Sequence, residues 1–131
     1  MGLRSTITAV AGVFVLARSA HGQTPSAANP VGVWRGTSSC TVRPSPCKDE
    51  IAVYRITRTT HDSVSLDARK LVGGREEAMG VLACLAAPRG QITCTMPNGV
   101  WHFTIRRDSL VGELRLMNDT KYRDVRAARS P

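Results

Sequence analysis

Aromatic side chains are scarce in this chain: two Phe, two Trp and two Tyr among 131 residues. Modules that bind nucleic acid interleave exposed aromatics with basic charge, so no nucleic-acid partner is expected. Histidine is scarcer still, and His21, His61 and His102 stand too far apart for ligand spacing, which leaves no support for a metal centre. No apolar run is long enough to cross a bilayer as a helix; the longest, Ile7 to Ala17, stops well short of about 20 residues. Past Pro30 no window repeats apolar residues at i, i+3, i+4 and i+7 between caps, so a helical fold is not expected. A phosphate-cradling loop is missing too, because Gly73-Gly74 is followed by a strand-like run and not by a helix.

Catalytic constellations are equally thin. His61-Asp62-Ser63 holds the letters of a triad, yet three consecutive residues in a turn cannot converge as nucleophile, base and orienting acid. Asp49-Glu50 and Glu76-Glu77 are the only adjacent carboxylates, and each stands beside a basic residue, Lys48 or Arg75, as a solvated strand end would. Asn118-Asp119-Thr120 fits a glycosylation sequon but reads as a hairpin turn. The chain is therefore expected to be non-catalytic, without cofactor or metal.

What is present begins at the N-terminus. A short basic start, the apolar run and the small residues Ala20 and Gly22 form the three regions of a secretory signal peptide over residues 1–22. Residues 23–30 read as a flexible leader, and 31–131 as one disulfide-braced domain, secreted or periplasmic after cleavage between Gly22 and Gln23. Cleavage removes Arg4 and Arg18 and no acidic residue, which lowers the net charge from +8 to +6. All four cysteines lie beyond the cut. The three-residue turn Pro88-Arg89-Gly90 sets Ala87 opposite Gln91, and equal steps outward bring Cys84 opposite Cys94. A bridge there would contribute about 2–3 kcal/mol. Elimination then pairs Cys40 with Cys47; four thiolates at these spacings do not suit zinc.

Eight strand-like runs alternate with turn chemistry: 31–42, 51–59, 63–72, 77–87, 91–96, 100–106, 110–117 and 121–128. Connections this short make sequence neighbours antiparallel neighbours. Trp101, Phe103 and Ile105 share one face of the sixth run, and Leu110, Gly112, Leu114 and Leu116 one face of the seventh. An open meander would expose two edges, whereas closure removes both. The fold expected is an all-β, eight-stranded antiparallel up-and-down barrel, with a β-sandwich as the alternative.

Gly32-Val33-Trp34, at the start of the first strand, resembles the Gly-x-Trp opening of the calycins, the superfamily of lipocalins, fatty-acid-binding proteins and avidins. The longer stretch Gly32 to Cys40 resembles the opening of small exported bacterial proteins of no assigned function. The calycin likeness implies that Trp34 plugs the barrel base, stacked on an arginine of the last strand, Arg123 or Arg126. It covers three residues strictly and the topology loosely, and the long first loop and C-terminal helix of lipocalins are missing.

Two functions are weighed. The first is a monomeric binding module for an apolar or amphipathic small molecule, lined by Trp101, Phe103, Ile105, Leu114 and Leu116. The alternative is an inhibitor or docking protein that meets a secreted enzyme or an anionic envelope component through its loops. There Arg43, between Cys40 and Cys47 and beside Pro44 and Pro46, would make the contact. Lys121, Arg123 and Arg129 share a parity with one another and could join Arg106 and Arg115 in a basic outer wall for a polyanion.

Overall fold

A computed structural model describes Gly2 and residues 28–131. The signal peptide expected over residues 1–22, Gly2 apart, and most of the leader lie outside the described residues. Eight antiparallel strands follow one another: β1 (Gly32–Cys40), β2 (Glu50–Thr60), β3 (Ser63–Val72), β4 (Arg75–Ala87), β5 (Gln91–Met96), β6 (Gly99–Arg106), β7 (Ser109–Leu116) and β8 (Lys121–Arg129). Each pairs with the next, and β8 returns to β1, so the sheet closes into a barrel and the sandwich is set aside.

Turn chemistry fixes the register. Arg89 and Gly90 both take left-handed backbone, φ 68° and 74°, and the β4–β5 hairpin closes with Ala87 opposite Gln91 and Cys84 opposite Cys94. Both expected disulfides form, Cys84–Cys94 across this hairpin and Cys40–Cys47 around the β1–β2 loop. Two covalent bridges are compatible with an extracellular or periplasmic site. The turn between β5 and β6 falls on Pro97 and Asn98, because Gly99 already pairs with Met96 and Leu116 at the start of β6.

The alternation of burial along each strand follows the pleat, with even positions inward on β1 and β2 and odd positions inward on β8. The lower half of the barrel is packed with side chains, including Trp34, Ile56, Ile92, Ile105, Leu110 and Val125, all essentially inaccessible. Val53 is buried on the opposite, outer face of β2, where its register partners are Arg35 on β1 and Arg69 on β3. Long charged side chains cover apolar surface in this way while their heads stay wet. Arg69 in turn bonds Asp67 at 3.0 Å, and Arg55 holds Glu76 through two bonds of 2.7 and 2.9 Å.

Trp34 does close the base. Its Nε1 donates to the Pro30 carbonyl at 2.9 Å, and the cation above its ring is Arg129, with Cζ 4.3 Å from the ring centroid. This corrects the expectation of Arg123 or Arg126. Register is the reason: Trp34 lies opposite Arg129, whereas Arg123 lies opposite Cys40 at the far end, and Arg126 faces outward opposite Thr37. Arg129 also donates to the carbonyls of Asn29 and Val31 at 2.8 Å and pairs with Asp108, tying the entering chain to the barrel floor.

Candidate functional site

The wall is uneven at the other end. β4 is 13 residues long and pairs with β3 along its length, but it pairs with β5 only over Cys84–Ala87. From Arg75 to Ala83 no strand among the described residues lies on its second side. β5 ends at Met96, so the rim drops between β4 and β5 and the mouth opens sideways just beyond the Cys84–Cys94 bridge. A bulge at Met79, with Gly80 at φ 153°, bends β4 there and leaves Met79 over the opening.

Inside this mouth lies a cavity of about 200 Å³. Its walls are apolar, built from Leu66, Ala68 and Leu82 on one side and Met96, Trp101 and Phe103 on the other. Trp101 stacks on Phe103 with centroids 5.4 Å apart and planes 7° from parallel, and Tyr54 tilts against Phe103 at 5.7 Å. One end of the cavity is polar. Ser38, Glu50, the Tyr54 hydroxyl and Arg123 meet there, with Arg123 Nη1 donating to Ser38 Oγ at 3.1 Å and standing 3.6 Å from Glu50. Lys70 reaches Glu50 at 4.0 Å from the rim. Two cations thus face one carboxylate, and Arg123 has two further nitrogens, Nε and Nη2, that bond to no described residue.

Burial pushes the Tyr54 phenol up to about 12 from its ordinary value of 10, partly opposed by the Ser38 hydroxyl and the Arg123 charge. A phenol this hard to ionise is a neutral hydrogen-bonding group at pH 7 and a poor acid. Because the folded value is the higher one, its contribution to stability is fully present below pH 10 and disappears as pH rises toward 12. Thermal melts across that window are expected to show a loss of stability that Tyr54→Phe flattens; an unchanged slope in the variant would contradict the assignment.

Of the residues read from sequence, Trp101 and Phe103 line the cavity. Ile105 and Leu114 do not: both are buried, Ile105 deep in the packed lower core. Leu116 lies on the rim opposite Gly99, half-buried and outside the lining. The structure adds the polar end and the β2–β4 wall, which sequence reasoning missed. The signal was available in part, since Arg123 shares its parity with Val125 and Ala127.

The same parity corrects the basic outer wall. Arg123 and Arg129 point inward with Val125 and Ala127. On the rim, Lys121 pairs with Asp124 at 2.7 Å and Arg115 with Glu113 at 2.8 Å. Arg43, exposed on its loop, bonds Asp49 at 2.7 Å, and the same carboxylate oxygen accepts the Cys40 N–H at 2.8 Å. That N–H, together with Arg43, holds the Asp49 carboxyl below its usual range. His102 stands exposed on β6, and the described residues contain no cluster of metal-ligating side chains.

The geometry defines a class: a disulfide-braced, closed eight-stranded barrel with a packed base and a small amphipathic cavity at its mouth. No protein-family model, no curated protein and no solved structure matches the chain.

Proposed function

We propose that this protein is an exported, calycin-like binding barrel that holds a small amphipathic molecule at its mouth. The observation that carries this reading is the cavity itself, apolar along its walls and hydrogen-bonding at one end. A packed barrel would need neither Glu50 nor Arg123 inside, where burying charge is costly unless it has work to do. Binding sites for small molecules have this composition: apolar walls with a few convergent polar groups.

Size limits the ligand. Benzene fits an engineered apolar cavity of about 150 Å³, and drug-sized molecules use about 300–1,000 Å³, so 200 Å³ suits roughly eight to ten non-hydrogen atoms. A longer tail would leave through the opening between β4 and β5. The two free nitrogens of Arg123 and the Tyr54 hydroxyl would take the polar end of the ligand.

Trp101 reports on occupancy because it forms part of the wall. Titration with benzyl alcohol and with benzoate is expected to change its fluorescence saturably, and the stronger of the two tells whether the polar end prefers a neutral or an anionic group. Ala68→Leu fills the cavity from β3 and should abolish the response while leaving the melting temperature within a few degrees. A response that survives this substitution would place the ligand elsewhere.

A further inference from the structure

Charge is not evenly shared between the two ends of the barrel. At the mouth, Arg43, Lys70, Arg115 and Lys121 each face a carboxylate. At the base, the three turns between β2 and β3, β4 and β5, and β6 and β7 carry Arg58, Arg89, Arg106 and Arg107 against only Asp62 and Asp108. Both carboxylates are engaged: Asp108 by Arg129, and Asp62 by the Thr60 and Ser63 hydroxyls. Arg89, Arg106 and Arg107 have no carboxylate partner among the described residues, and Arg58 donates only to the carbonyls of Thr60 and His61.

The turns adjoin one another. The Asp62 carbonyl accepts the Ala86 N–H at 2.7 Å, and Gly90 lies against the Ile105 carbonyl, next to Arg106. Between the β2–β3 and β4–β5 turns runs a groove of about 560 Å³, lined by Arg58 and Arg89 and by the apolar Ala28, Pro30, Ala87 and Pro88, with Arg106 and Arg107 on the neighbouring turn outside its lining. Arg89 and Arg107 also hold left-handed backbone, φ 68° and 54°, at positions where glycine, asparagine or aspartate is the unstrained choice. Two guanidinium groups are thus kept at one end of the molecule at a cost in stability, and strain retained on an exposed turn is a pointer to use.

We infer that this base is a docking surface for an acidic peptide segment of a partner protein. The arginines would take its carboxylates in bidentate pairs, and the apolar lining its small side chains. The lining decides the class of partner. A single nucleic-acid strand would want Phe, Tyr or Trp rings in succession to stack on, and the one ring that lines the groove is His61. A membrane would want large apolar side chains projecting from the turns themselves; Val81 and Met117 lie away from them, and Leu85, opposite Ser63, faces outward on the β4 wall. This surface is independent of the cavity and stands or falls without it.

The test uses a fluorescein-labelled peptide of alternating Glu and Ala, read by anisotropy at low ionic strength. An oligonucleotide of equal charge and phosphatidylglycerol vesicles serve as rivals. Charge reversal at both strained positions, Arg89→Glu with Arg107→Glu, is expected to weaken peptide binding by about tenfold or more. Lys48→Glu with Arg126→Glu changes net charge equally and should leave binding within about twofold. Arg89→Gly with Arg107→Gly should melt at a higher temperature than the parent and yet bind about tenfold more weakly. Equal losses in the two charge-reversal pairs would reduce the effect to net charge and overturn the proposal. So would undiminished binding by the glycine pair, or tighter binding of the oligonucleotide or the vesicles than of the peptide.

Discussion

Gly36→Ala is expected to open the barrel. Gly36 lies on β1 opposite Ala52 of β2 and Ala127 of β8, so three small residues form one row across the seam where the sheet closes. A methyl group at position 36 would fall on the Arg126 carbonyl oxygen and 2.5 Å from Ala127 Cα, both of them backbone. Backbone cannot rotate away as a side chain can. The β1–β8 ladder must part or the strand must shift register, and a shift would turn the Trp34 face outward. The expected loss is about 3 kcal/mol or more, at the upper end of what overpacking costs. For a domain of this size, with a total stability of about 5–15 kcal/mol, that is a large share. Denaturant titration of the variant measures it. A midpoint within error of the parent would mean that the seam is more yielding than described.

Trp34→Ala should be nearly as damaging, for a different reason. The side chain is fully buried, gives its Nε1–H to Pro30 and lies beneath the guanidinium of Arg129. Removing a buried aromatic of this size leaves a cavity and typically costs about 3–5 kcal/mol. Arg129 loses its stacking surface as well, although its bonds to Asn29, Val31 and Asp108 remain. Arg129→Ala is therefore expected to cost less than Trp34→Ala, and the double variant less than the sum of the two. Calorimetric unfolding of the three proteins tests this; strict additivity would contradict direct coupling between the two side chains.

Much of the fold was legible because every connection but the nine-residue β1–β2 loop is short. Turn residues at 61–62, 73–74, 88–90 and 107–108 mark the strand boundaries to within a residue or two, and once the Pro88–Gly90 turn is placed the Cys84–Cys94 pairing follows by counting. Counting fails wherever a bulge adds a residue. Met79 and the irregularity between Leu114 and Arg115 shift parity along β4 and β7–β8, and a period of two cannot announce its own interruption. The burial of Val53 was hidden for another reason, since its cover comes from arginines on two different strands.

The site was legible only in part. Alternation says which way Trp101, Phe103, Ile105 and Leu114 point, and all four point inward. It does not say which of them reach the cavity: Ile105 lies deeper in the packed core, and Leu114 stands level with Trp101 yet outside the lining. The polar end depends on β1, β2 and β8 meeting at one level, which brings Ser38, Glu50 and Arg123 together from positions up to 85 residues apart. Stagger between strands sets that level, and stagger is a property of closure and not of any one strand.

Native mass spectrometry of the protein, beside a denatured control, tests the binding barrel most directly. A cavity that holds an amphipathic molecule is expected to carry a small-molecule adduct that vanishes on denaturation and is missing from Ala68→Leu. A bare mass after incubation with benzyl alcohol and benzoate, four hydrogens below that of the reduced chain, would confirm both disulfides and contradict a binding role for the mouth.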